Sequence, residues 1–185
     1  TSRRGAGWFA AVDPVRQPLG RITTVEAAVE AAGGVPRRRV LAFGFVEAPP
    51  AVAAALELAP GTEVLRVERL NLADDEPFAL VTVWVRADLG ADLSRADVER
   101  VPFYDLLPVR GVELAAVHQS ITAVLASDAD ADRLGCAPGA PVLLARRVTR
   151  DAAGVPALYA EHRYPAERTT FEIDFSLRTG VLQHV

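Results

Sequence analysis

An anion held by a side-chain cation in this chain must be held by arginine or histidine. Of its 185 residues none is lysine, all 20 basic residues are arginine, and three are histidine. Two short alternations could gather such groups. Arg69 and Asn71 stand two apart, so on a strand both side chains project to one face. Leu158, Ala160, His162 and Tyr164 share a face by the same parity, with Glu161 and Arg163 turned away. A buried cleft holding Arg69, Arg147 and His162 would offer charge-assisted hydrogen bonds to a carboxylate. Each residue also has a plainer reading. Arg147 could pair with an acid such as Glu68 or Glu161. His162 could be a structural hydrogen-bonder. Thr24, at a helix start, could donate to an anion or simply cap the helix. The run Arg37-Arg38-Arg39, next to Pro36, reads as a solvated loop. Trp84 falls on the opposite strand face from Val81 and Val83, which suits core or dimer packing.

No constellation for covalent or metal chemistry accompanies these groups. His118, His162 and His184 are not at metal-ligand spacing. Cys136 has no nearby histidine and reads as a small buried hydrophobe. A Gly-rich phosphate loop, Gly-x-Ser-x-Gly and His-Glu-x-x-His are all absent. No enzyme activity, cofactor or metal is therefore expected. A single cysteine excludes an intramolecular disulfide framework and a multi-cysteine zinc site. The net charge of −4 argues against this chain gripping nucleic acid by itself. No apolar run approaches the ~20 residues of a membrane span. The expected setting is a reducing cytoplasm.

The elements that must position these residues are repeated. A shift of 78 residues aligns Leu58-Ala59-Pro60-Gly61 with Cys136-Ala137-Pro138-Gly139, Val64-Leu65 with Val142-Leu143, and Arg69 with Arg147. After one extra residue in a turn, Pro77 aligns with Pro156. An ordered series with one gap argues for a duplicated unit. In the first copy, Arg39 to Glu47 reads as a strand, Pro49 to Leu58 as a short helix, and Val64 to Leu72 and Phe78 to Arg86 as a hairpin. In the second, Ala116 to Leu125 is a strand and Ser127 to Leu134 a helix, with Ser127 as N-cap and Gly135 as left-handed stop. Val142 to Thr149 and Ala157 to Tyr164 form its hairpin. Thr23 to Ala32, Ser94 to Arg100 and Phe103 to Leu107 read as further helical pieces, and Thr169 to Phe175 as a last strand. The expected fold class is α+β, a mostly antiparallel sheet built from two strand–helix–strand–strand repeats, with a small-molecule cleft at their seam.

Several of these stretches carry a family resemblance. They are Val46-Glu47-Ala48-Pro49, Leu58 to Thr62 with Val64-Leu65-Arg66 and Glu68-Arg69, Asp75-Glu76-Pro77, and Phe103 to Leu107. Ile121-Thr122-Ala123, Pro138 to Val142, Arg146-Arg147-Val148 and Tyr164 to Phe171 complete the series. Their order and spacing, from about Gly20 to Phe175, resemble the UTRA effector-binding domain of GntR-type bacterial repressors of the HutC subfamily. Ser2 to Ala11 resembles the end of such a repressor's DNA-binding wing. The resemblance implies a chorismate-lyase-like fold, an effector pocket and a homodimer. It divides the chain into a wing remnant at 1–13, a linker at 14–22 and an effector domain at 23–185, with operator DNA read by a winged helix-turn-helix that would precede Thr1.

The resemblance also implies roles. Two basic positions that grip an effector's anionic group fall on Arg69 and Asn71. The helix tyrosine falls on Tyr104, with Pro102 where phosphate-binding members use serine, and the tyrosine near the end is Tyr164. An acidic position that holds sugar hydroxyls falls on Val81, and another acidic position falls on Leu158. An unpartnered buried carboxylate costs several kcal/mol, so losing both suits a ligand with fewer hydroxyls there. The implied effector is smaller or more apolar than an amino-sugar phosphate, with Arg69 available to one acidic group. Turnover of a lyase-like kind and a pure dimerisation module are the competing functions.

Overall fold

The computed structural model describes residues 15–19, 24–176 and 183–184. The wing reading of residues 1–13 falls outside them. Strand β1 (Val15–Pro18) and helix α1 (Val25–Ala31) come first. The first repeat follows as β2 (Pro36–Glu47), α2 (Pro50–Ala55), β3 (Glu63–Ala73) and β4 (Glu76–Arg86). Short helices α3 (Ala87–Gly90), α4 (Arg95–Arg100) and α5 (Phe103–Leu106) lead on. The second repeat is β5 (Leu114–Leu125), α6 (Asp128–Leu134), β6 (Pro141–Asp151) and β7 (Pro156–Pro165). Strands β8 (Thr169–Glu172), β9 (Phe175–Ser176) and β10 (Gln183–His184) complete the described elements.

The two repeats build one six-stranded antiparallel sheet in the order β2-β3-β4-β7-β6-β5. The last strand of each copy meets the other at the centre, so β2-β3-β4 mirrors β5-β6-β7 across the β4/β7 seam. Parity then divides the side chains. On one face α2 packs Val52, Ala53 and Leu56 against Val64, Trp84 and Tyr159, while α6 packs Ala131 and Leu134 against Leu80 and Val142. The Trp84 and Tyr159 rings stack with centroids 5.6 Å apart. The other face is covered by α1, α4 and α5 through Val25, Ala28, Val29, Val98, Phe103 and Leu106. Burial of these apolar side chains, each worth about 1.5–3 kcal/mol when complete, fixes which face each strand residue presents.

Local signals end the elements. Thr24 Oγ1 accepts from the Ala27 amide at 3.1 Å and caps α1. Ser127 caps α6 through the Asp130 amide, and Gly135 ends it at φ 61°. Ser94 and Asp97 form a reciprocal capping box at the start of α4. The β3–β4 hairpin turns on two left-handed residues, Asp74 (φ 50°) and Asp75 (φ 71°), as a two-residue loop requires.

Three expectations need correction. Arg37-Arg38-Arg39 is not a loop but part of β2, because pairing with β3 extends the strand back to Pro36. The expected strand from Thr169 to Phe175 divides into β8 and β9. Part of the segment read as linker is strand β1, which pairs in parallel with β8. Among the described residues no helix is long and apolar enough to cross a membrane.

Candidate functional site

The cleft lies between the sheet face and the elements α1 and α5, over the central seam. Strand register sets its floor. Arg69 on β3 pairs with Val81 on β4, and Val81 with His162 on β7. Arg147 on β6 pairs with Ala160, and Ala160 with Val83. The repeat thus places its two equivalent arginines in rows that approach the seam from opposite sides. The cleft spans about 420 Å³ counted out to its open mouth.

Arg69 is buried and poorly satisfied. One of its terminal nitrogens (Nη1) reaches the Val98 carbonyl only at 3.5 Å, and its Nε has no partner. Its guanidinium lies over the Phe103 ring, 5.2 Å from the centroid, a cation–π contact. Burial lowers its pKa to about 9, helped by the Arg38 charge and opposed by Glu26. It remains a cation at neutral pH. Arg147 is buried and donates Nε to Gln119 Oε1, a neutral partner. Neither acid named as its possible partner reaches it. Glu68 pairs with Arg66 and Arg133, and Glu161 with Arg146 and Arg163, all on the opposite face.

His162 lies against Tyr164, with 3.2 Å between its Nδ1 and the phenol oxygen. Burial, then Arg147, then Arg69 hold its pKa well below 6.5, so it is neutral in the fold. Tyr164 is completely buried, and its hydroxyl is pushed toward the protonated form by that burial. It supports His162 from behind and does not line the cleft. Tyr104 does line it, with its hydroxyl 3.2 Å from Thr149 Oγ1. Thr24, Asn71 and Leu158 also line it. Val81 does not: it is buried between the Arg69 and His162 strands, and Val83 supplies the apolar floor instead. Seven of the nine candidate residues therefore meet at one cleft, and Val81 and Tyr164 sit beneath it.

Two charged lining residues escape sequence reasoning. Arg38, opposite Asn71 on β2, has a side chain only 5% exposed. It donates Nε to Glu26 Oε1 at 2.9 Å, pairs with the same carboxylate through Nη2, and reaches the Val98 carbonyl at 3.3 Å. Glu26, in the first turn of α1, also accepts from Asn71 Nδ2 at 2.7 Å. Strand parity relative to Asn71 is the one signal that could have found Arg38. Glu26 has none, because only the tertiary position of α1 brings it here. The cleft thus holds three guanidinium groups and one carboxylate, with His162 neutral, a surplus of two positive charges.

Comparisons with known proteins agree with this architecture. The UTRA domain family matches residues 31–170. The chain is 23% identical over 168 residues to the HTH-type transcriptional repressor NagR of Bacillus subtilis, covering 91% of this chain and 69% of that protein. It is 32% identical over 178 residues to the HTH-type transcriptional regulator Rv0792c of Mycobacterium tuberculosis, covering 92% of this chain and 64% of that protein. The crystal structure of PhnF from Mycobacterium smegmatis superposes with a TM-score of 0.80 at 24% identity, covering 89% of this chain and 73% of that one.

Proposed function

Since the chain belongs to the UTRA domain family, we propose that it is the effector-sensing part of a cytoplasmic GntR-type repressor of the HutC kind and that its effector is a small acid. The observation that carries this reading is the charge count of the cleft. Arg38, Arg69 and Arg147 face one carboxylate, and Arg69 has an unpartnered Nε. A buried cation without its counter-charge costs free energy that a bound anion returns as affinity. The apolar floor of Val83, Leu158 and Ala160 suits a compact carbon skeleton. The protein works as a homodimer. Operator DNA is read by a winged helix-turn-helix outside residues 23–185, and the effector favours one arrangement of the dimer over another. Coupling of that kind is typically 1–3 kcal/mol.

Isothermal titration against a panel of small organic acids and sugar phosphates tests the reading. Binding of an acid without turnover is the expected result. Turnover would make the protein an enzyme. No binding and no ligand-induced rise in melting temperature would leave a dimerisation module.

A further inference from the structure

We infer that Glu26 reads a second group on the effector, so that the molecule recognised carries a hydrogen-bond donor, hydroxyl or ammonium, beside its acidic group. This rests on the acid-sensing reading of the same cleft. The two ends of the cleft differ in what they leave unpartnered. Toward Arg69 the unsatisfied atom is a donor, the guanidinium Nε. Toward α1 the unsatisfied atoms are acceptors. Glu26 takes Arg38 and Asn71 on Oε1, while its Oε2 makes no hydrogen bond among the described residues. Asn71 spends its amide N–H on Glu26, which leaves its Oδ1 buried with no partner.

The Glu26 side chain keeps 21% of its exposure, which leaves it access to water. A ligand that fills the cleft removes that water. A carboxylate oxygen stripped of water and given no donor is penalised, and more heavily than a neutral acceptor. A site built this way rejects the analogue that lacks the donor as well as attracting the one that has it. The effector class is a short hydroxy or amino acid, and not a plain carboxylic acid.

The test uses matched probes on the 185-residue chain: propionate against 3-hydroxypropionate and β-alanine, and butyrate against 4-hydroxybutyrate and 4-aminobutyrate, titrated by NMR or calorimetry. The donor-bearing acids should bind about tenfold or more tightly than their parents. In Glu26→Gln the amide oxygen stays on Arg38 and Asn71, so its NH2 stands where Oε2 was. The preference should then vanish or reverse, and the parent acids, no longer facing the Glu26 charge, should bind no more weakly than in the wild type. Equal binding of parents and derivatives, or an unchanged preference in Glu26→Gln, overturns the inference and leaves the acid-sensing reading intact. If no acid in either series binds, both readings fall. The wild-type comparison decides the matter alone if Glu26→Gln does not fold.

Discussion

At the scale of the residue, Arg69 is the group whose surroundings are least satisfied. Its side chain is buried, one donor is unpartnered, and its charge has no carboxylate in hydrogen-bond contact. Two opposite effects follow from one site. Arg69→Ala should weaken binding of an acidic effector about tenfold or more, since a hydrogen bond to a charged group is worth about 1.5–3 kcal/mol; unchanged affinity by calorimetry would remove Arg69 from the site. Arg69→Met keeps much of the volume and removes the buried charge. It should raise ligand-free stability by about 1–3 kcal/mol in urea unfolding. His162 contributes a pH dependence. Its pKa lies well below 6.5 in the fold because burial and two arginines oppose the proton. The unfolded chain takes up that proton near 6.5 and the folded chain does not, so stability falls as pH drops below about 6.5. The slope is up to about 1.4 kcal/mol per pH unit from this group. His162→Gln should flatten the profile by about one proton, and an identical slope in both proteins would contradict the assignment.

At the scale of the element, the duplication allows a controlled comparison. Gly135 ends α6 at φ 61°, and its repeat counterpart Glu57 follows α2 at φ 57°. The same left-handed position is filled by the residue that takes it freely in one copy and by a strained one in the other. A Cβ at Gly135 would meet only Pro77 Cγ, at an ordinary 3.8 Å. Gly135→Ala should therefore cost about 1–2 kcal/mol through backbone strain alone. Glu57→Gly should raise stability by several tenths of a kcal/mol, because the exposed ion pair it gives up to Arg150 is worth little. Chemical denaturation of both variants checks the two signs. Strand β1 shows a second element-scale feature. It brings Gln17, buried with an unpartnered Nε2, to the neighbourhood of Tyr164, which in turn supports His162.

At the scale of the whole molecule, the sheet is closed at its centre by the two copies and open at β2 and β5. The cleft belongs to neither copy alone, since Arg38 and Arg69 come from the first and Arg147 and His162 from the second. Ligand binding should therefore stabilise the domain as one unit. A single cooperative transition whose midpoint rises with ligand concentration is expected in thermal unfolding. With a net charge of −4, the chain alone should not retard DNA at physiological salt. A gel shift there would overturn the assignment of DNA reading to another domain.

Much of this architecture is legible in the sequence, and for one reason: period-two alternation and turn chemistry are local. The repeat offset paired Arg69 with Arg147, strand parity put His162 on the face of Leu158 and Ala160, and Gly135 and Ser127 marked the ends of α6. The residue runs also determined that the two copies would share one antiparallel sheet. Distance in sequence hid the rest. The strand character of Arg37 to Arg39 follows from pairing with β3, whose hydrogen bonds no local pattern announces. Val81 has the right parity for the cleft but is fully buried between Arg69 and His162 and does not line it. Glu26 is an ordinary first-turn acid on a short helix. Only the packing of α1 against β2 and β3 carries it to Arg38 and Asn71, 12 and 45 residues away. The sequence by itself determined which cations the chain owns and which strand faces they share. Tertiary packing alone decided which of them a carboxylate neutralises, because that depends on distances between elements that no periodicity encodes.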